Sequence, residues 1–165
     1  SFASPYSYAA NPRWSPDGSQ ILFQSNQFSD MNQFDVVGLD GSQPREVLAE
    51  FFANHPFLST KSAAWHPDGK RISVWVWGHG PLPTFWTVPV AGGEGVRSEI
   101  DPQILGHLAD VSMRLNDEMW RDFKFTWMPS GRASCVESTF RSFRNLWKMP
   151  VDPTALRAIR NARLT

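Results

Sequence analysis

At 165 residues the chain has room for one domain with a sizeable core, and its 16 lysines and arginines balance its 16 aspartates and glutamates. Neutrality without a basic tract removes the electrostatic case for nucleic acid or an anionic membrane surface. A lone cysteine, Cys135, excludes an internal disulfide and a Cys-rich zinc site, and 13% aromatic residues against 19% charged favour packed β layers over solvated helices.

Residues 1–10 are small and aromatic without a period and form a lead-in. The first cycle opens at Asn11. Pro12-Arg13-Trp14 reads as a short strand, Ser15-Pro16-Asp17-Gly18 as a tight turn, and Ile21-Leu22-Phe23-Gln24-Ser25 as a second strand. Within the turn, Pro16 presets φ, Asp17 accepts a backbone hydrogen bond, and Gly18 takes a left-handed conformation that other residues resist. Phe34 to Leu39 is a third strand, Asp40-Gly41-Ser42 a hairpin signal, and Arg45-Glu46-Val47-Leu48 a fourth strand. The connector over 49–61 gathers Phe51, Phe52, Phe57 and Leu58 around Asn54-His55-Pro56, aromatics expected to dock on the sheets.

The cycle restarts over 62–98. Trp65-His66-Pro67-Asp68-Gly69 repeats the turn, Arg71 to Trp77 and Thr84 to Val90 are strands, and Val96-Arg97-Ser98-Glu99 is a shorter fourth. An insert over 99–121 delays the third copy. Asp101-Pro102 resembles a helix start, and Ile104, Leu105, Leu108, Val111 and Leu115 recur at helical spacing, so one short helix is expected there. The third cycle, 122–165, carries Trp127-Met128-Pro129-Ser130-Gly131, with Ser130 replacing the aspartate. Strands over 133–138 and 143–149 follow, and Arg163-Leu164-Thr165 stands where a fourth should finish.

Four short antiparallel strands, repeated with one turn signature at a fixed place, are the grammar of a β-propeller blade. The Trp14-Ser15-Pro16-Asp17-Gly18 turn, the apolar strand behind it and the Asp40-Gly41-Ser42 turn before Pro44-Arg45-Glu46-Val47-Leu48 resemble the TolB-type, WD-repeat-like propellers of bacteria. The likeness runs from Asn11 to the end, apart from the connector and the insert. The expected fold is all-β: three four-stranded antiparallel blades, a partial β-propeller, with one short helical insert. Propellers close with about four to eight blades, and three would leave two apolar faces without neighbours. A start at Ser1 and an end near a repeat boundary lead to the expectation of an arc cut from a longer propeller, covered by the remaining blades of a parent chain or by self-association.

The search for chemistry finds no Gly-x-Ser-x-Gly elbow and no His-Glu-x-x-His. Gly92-Gly93-Glu94-Gly95 lacks the lysine of a phosphate loop and reads as a strand turn. His55, His66, His79 and His107 stand apart, each near Pro, Gly or a turn, so no metal and no cofactor is expected. Asp17 and Asp68 resemble paired carboxylates, but their identical context gives them a structural task in the turn set Trp14, Pro16, Asp17, Gly18, Trp65, Pro67, Asp68, Gly69, Trp127, Pro129 and Gly131. Cys135, in an alternating strand beside Val136 and with no nearby histidine, reads as an inert thiol.

The aromatics offer one sharper reading. Trp75 and Trp77 lie two apart on one strand face near His79, with Trp86 at the start of the next strand, a candidate platform for a peptide or sugar. The bland alternative, core between blades, is the stronger one. The insert residues Arg114, Trp120 and Arg121 join this candidate partner surface, because departures from a repeat map to loops on one face. No run of about 18 apolar residues exists, so membrane insertion is not expected in this segment.

These readings lead to a non-catalytic binding or scaffold module for a protein or peptide partner, and the resemblance implies a place in the sensory part of a bacterial multidomain regulator. The resemblance implies two alternatives: an accessory propeller of a peptidase or amidohydrolase, and a periplasmic component of an envelope complex. It also implies an extracytoplasmic location, which cysteine usage leaves open.

Overall fold

The computed structural model describes residues 9–25, 33–78, 83–100, 102, 124–140, 143–151 and 163–164. Among the described residues, twelve strands form three four-stranded antiparallel sheets, each in sequence order. The first holds β1 (Ala9–Trp14), β2 (Gln20–Ser25), β3 (Phe34–Gly38) and β4 (Arg45–Val47). The second holds β5 (Ser59–Trp65), β6 (Arg71–Trp77), β7 (Thr84–Pro89) and β8 (Val96–Ser98). The third holds β9 (Lys124–Trp127), β10 (Ala133–Phe140), β11 (Phe143–Pro150) and β12 (Arg163–Leu164). Between β4 and β5 lies a short helix, α1 (Ala49–Asn54).

Register decides which side chains share a face. Trp14 pairs with Ile21 and Ile21 with Val37, while Leu22 pairs with Val36 on the opposite face. The second sheet repeats this: Trp65, Ile72 and Val88 line one face, and Trp75 and Phe85 the other. In the third sheet Trp127, Ser134 and Met149 share a face, and Glu137 and Leu146 lie on the reverse. The tryptophan faces of the second and third sheets each meet the preceding sheet. Leu22, Phe34 and Val36 pack with Trp65, Ile72, Val74 and Val88 in one core, and Trp75 and Phe85 pack with Phe125, Trp127, Val136 and Met149 in the other.

Two features differ from expectation. The first strand is longer than Pro12–Trp14 because a bulge, with Asn11 at a positive φ of 54°, lets it start at Ala9. The connector contains a helix where only docked aromatics were expected. Six residues are too few to be stable alone, and α1 is held by packing: Phe51 is fully buried and stacks edge-on against Trp86 at 5.4 Å, while Phe52 lies 6.4 Å from Phe34. Glu50 adds a hydrogen bond from the Gly93 amide at 2.9 Å. The helix therefore bolts the first two sheets together. The helix expected over the insert lies outside the described residues.

Candidate functional site

The repeated turn is built the same way each time. Gly18, Gly69 and Gly131 have φ of 72°, 68° and 67°, and their amides donate to the carbonyls of Ser15, His66 and Met128. The Asp17 carboxylate accepts from the Ser15 hydroxyl at 2.6 Å, the Ser19 amide at 3.0 Å and the Ser19 hydroxyl at 2.8 Å, which pulls its pKa down to about 2. Asp68 accepts from the Lys70 amide at 2.9 Å and from Arg71 Nε at 2.6 Å. Burial pushes the Asp68 carboxyl up, but these donors outweigh it and hold it below the usual range. In the third copy Ser130 Oγ accepts from the Arg132 amide at 3.3 Å, a longer bond from a neutral group. These carboxylates are occupied with their own backbone.

The joints between sheets carry the tryptophans. Trp65 Nε1 donates to the Arg13 carbonyl at 3.2 Å, and Trp127 Nε1 donates to the Ser73 hydroxyl at 3.0 Å, so each indole reaches into the sheet before it. Trp14, the equivalent tryptophan of the first turn, is 60% exposed, because no sheet precedes its own among the described residues.

His66 sits in the second joint, 4% exposed, with its ring 4.7 Å from that of Trp127 in an edge-on contact. Its Nδ1 lies 3.1 Å from Asp68 Oδ1 and 3.3 Å from the Asp68 amide, and its Nε2 has no partner among the described residues. Burial lowers its pKa and Asp68 only partly restores it, so the ring is held neutral. His55 is elsewhere, with Nδ1 2.8 Å from the Phe51 carbonyl, as part of the bolt.

The aromatic platform is not assembled as expected. Trp75 is fully buried against Phe85, at 4.9 Å between rings, and belongs to the core of the second joint. Trp77 is half-buried against the same core. Trp86 points to the other face of the sheet and packs on Phe51 and His55. The strand's alternation explains this, because Trp86 and its paired Val74 face the first sheet while Trp75 faces the third. His79, Arg114, Trp120 and Arg121 lie outside the described residues.

An open cleft of about 430 Å³ does lie at that end of the second sheet, lined by Pro83, Thr84, Arg97, Ser98, Glu99 and Ile100. Arg97 and Glu99 place opposite charges on it, and Thr84 and Ser98 add hydroxyls. Sequence reasoning did not single these residues out. The signal was the end of the repeat at Glu99, where the insert departs.

No protein-family model matches the chain. It superposes on a protein assigned as TolB from Agrobacterium tumefaciens with a TM-score of 0.55 at 16% identity, covering 89% of this chain and 43% of that one. A second match, TolB from Acinetobacter baumannii, has a TM-score of 0.53 at 15% identity and covers 93% of this chain and 31% of that one. The chain has the fold of TolB-type β-propeller blades. Among curated proteins, the uncharacterized peptidase YuxL of Bacillus subtilis strain 168 is 32% identical over 68 residues, or 41% of this chain and 9% of that protein. The chain thus spans less than half the length of each of these proteins. Its TolB-type sheets stand in sequence order, with the tryptophan of each turn aimed at the preceding blade.

Proposed function

We propose that the chain is a non-catalytic binding and scaffold segment of a TolB-like propeller, presenting loops to a protein or peptide partner in an extracytoplasmic setting. The observation that carries this is the employment of its polar repeat residues: Asp17, Asp68, Ser73 and Ser130 spend their hydrogen bonds on turns and joints. The surface best suited to a partner is the cleft lined by Thr84, Arg97, Ser98 and Glu99, whose paired charges and hydroxyls match an extended peptide backbone with a charged side chain. Its neighbours in sequence, His79 on one side and Arg114, Trp120 and Arg121 on the other, belong to the same proposed surface.

The test is selection of peptides from a random library on the folded chain, followed by calorimetric titration of the winners. Binding weakened about tenfold by Arg97→Glu, at unchanged melting temperature, supports the reading. Failure to select any peptide, or binding indifferent to Arg97→Glu and Glu99→Lys, counts against it.

The likeness to YuxL favours a second reading, in which these blades flank the catalytic domain of a peptidase. Hydrolysis of peptide p-nitroanilides by the full gene product, absent from the 165-residue chain alone, distinguishes the two.

A further inference from the structure

The second joint buries a titratable group at a position where neither sister turn has one. His66 corresponds to Ser15 in the first turn and Met128 in the third, since all three carbonyls accept from the amide of the turn glycine. Ser15 suits the site, because its hydroxyl donates to Asp17 at 2.6 Å and accepts from the Gln20 amide at 2.9 Å. His66 does not. It is 4% exposed, Trp127 lies edge-on against its ring at 4.7 Å, and its Nε2 is buried without a partner among the described residues. Pro67 continues the contact, with its ring carbons 3.9 Å from where a Cβ on Gly131 would stand.

A neutral imidazole carries one N–H and the cation carries two. At Nδ1 the cation faces the Asp68 carboxylate, but it gives up the bond that the Asp68 amide donates there; at Nε2 it presents a charged N–H to a site with no acceptor. Little else offsets the charge. Arg71, on the same turn, repels it, and Arg132 on the neighbouring turn is exposed and of the same sign. Lys124, Glu137 and Lys148 stand on the far face of the third sheet. The core of the joint, from Trp75 and Phe85 to Phe125, Trp127 and Met149, is apolar.

We propose that His66 is an acid-operated latch on the second joint: its protonation loosens the third sheet from the second and bares Trp75 and Phe85, while the first joint stays closed. The first joint has Ser15 at this position and α1 as its bolt. His55, half-buried in that bolt, keeps its hydrogen bond to the Phe51 carbonyl when protonated, since Nδ1–H is the donor in the cation as well. Opening the second joint returns His66 to water and to its ordinary pKa of 6.5, above the lowered value of the closed joint. The open fraction therefore rises as pH falls below 6.5, by up to about tenfold per pH unit, and levels off below the closed-joint value.

Hydrogen exchange of the indole N–H groups, followed by NMR on the 165-residue chain, reads the joints one at a time. Trp65 Nε1 bonds across the first and Trp127 Nε1 across the second, and exposed Trp14 supplies the intrinsic rate at each pH. From about pH 7.5 to about pH 5, protection of Trp127 relative to Trp14 should fall about tenfold and that of Trp65 by less than about twofold. His66→Gln should leave Trp127 equally protected at both pH values, as should His66→Ser, which copies the first turn. Should neither variant fold, the wild-type chain still decides, because its His66 ring resonances should titrate in step with the loss at Trp127. Equal losses at Trp65 and Trp127 make the response global unfolding and overturn the inference. A Trp127 ratio indifferent to pH overturns it too, as does one that changes as much in the variants or out of step with the His66 ring.

Discussion

The indole N–H of Trp127 donates to the hydroxyl of Ser73 at 3.0 Å, across the joint between the second and third sheets. Ser73 is fully buried and also lies 2.8 Å from the Thr87 hydroxyl, so a small polar relay sits inside an otherwise apolar contact. Ser73→Ala should destabilise the chain by about 1–3 kcal/mol, since both the indole and Thr87 lose a partner without gaining water. In a urea-denaturation cycle with Trp127→Phe, the double variant should lose less than the sum of the singles. Full additivity would show that the relay does not couple the sheets.

The equivalent tryptophans should differ sharply in what their removal costs. Trp65→Ala empties a site that is 6% exposed and should cost about 3–5 kcal/mol. Trp14→Ala, at 60% exposure, should change the unfolding free energy of the monomer by less than about 1 kcal/mol. Denaturant midpoints measured at low protein concentration decide this; equal losses would contradict the burial pattern.

His66 should make stability depend on pH. Its folded pKa lies below the ordinary 6.5, because burial in the joint disfavours the cation. The unfolded chain therefore binds the proton first as pH falls. Stability should be complete above pH 6.5 and decline through the window between 6.5 and the lower folded value. His66→Gln should flatten that part of the curve of unfolding free energy against pH. An unchanged slope in the variant would assign the dependence to another group.

Two glycines should be intolerant for different reasons. Gly69, at φ of 68° with open space around it, should lose about 1–2 kcal/mol on substitution by alanine through backbone strain alone, with Asn recovering part. A Cβ at Gly95 would meet Val88 Cγ2 at 2.9 Å, with Phe51 and Trp86 ring atoms at 3.3 Å, so Gly95→Ala should loosen the α1 joint. Thermal melts of Gly69→Asn and Gly95→Asn separate the cases: asparagine should help only at Gly69.

The blade pattern was legible because each turn is settled by its own residues. Asp17 binds Ser19, Gly18 closes on Ser15, and the paired strands follow from alternation. The candidate site was less legible. Trp75, Trp77 and Trp86 look like one aromatic cluster along the chain, yet strand pairing sends Trp75 and Trp86 to opposite faces. The cleft residues Arg97 and Glu99 carry no motif, and only the end of the repeat points to them.

What the sequence determined by itself was the repeating hairpin and the all-β class, since these depend on hydrogen bonds and φ preferences within a few residues of each turn. Only the tertiary structure decided that Trp65 reaches Arg13, that Trp127 reaches Ser73, that α1 forms between two sheets, and that Trp14 and Leu146 stand uncovered. Burial is a property of neighbours distant along the chain, and identical local motifs acquire different surroundings when one has a sheet in front of it and another does not.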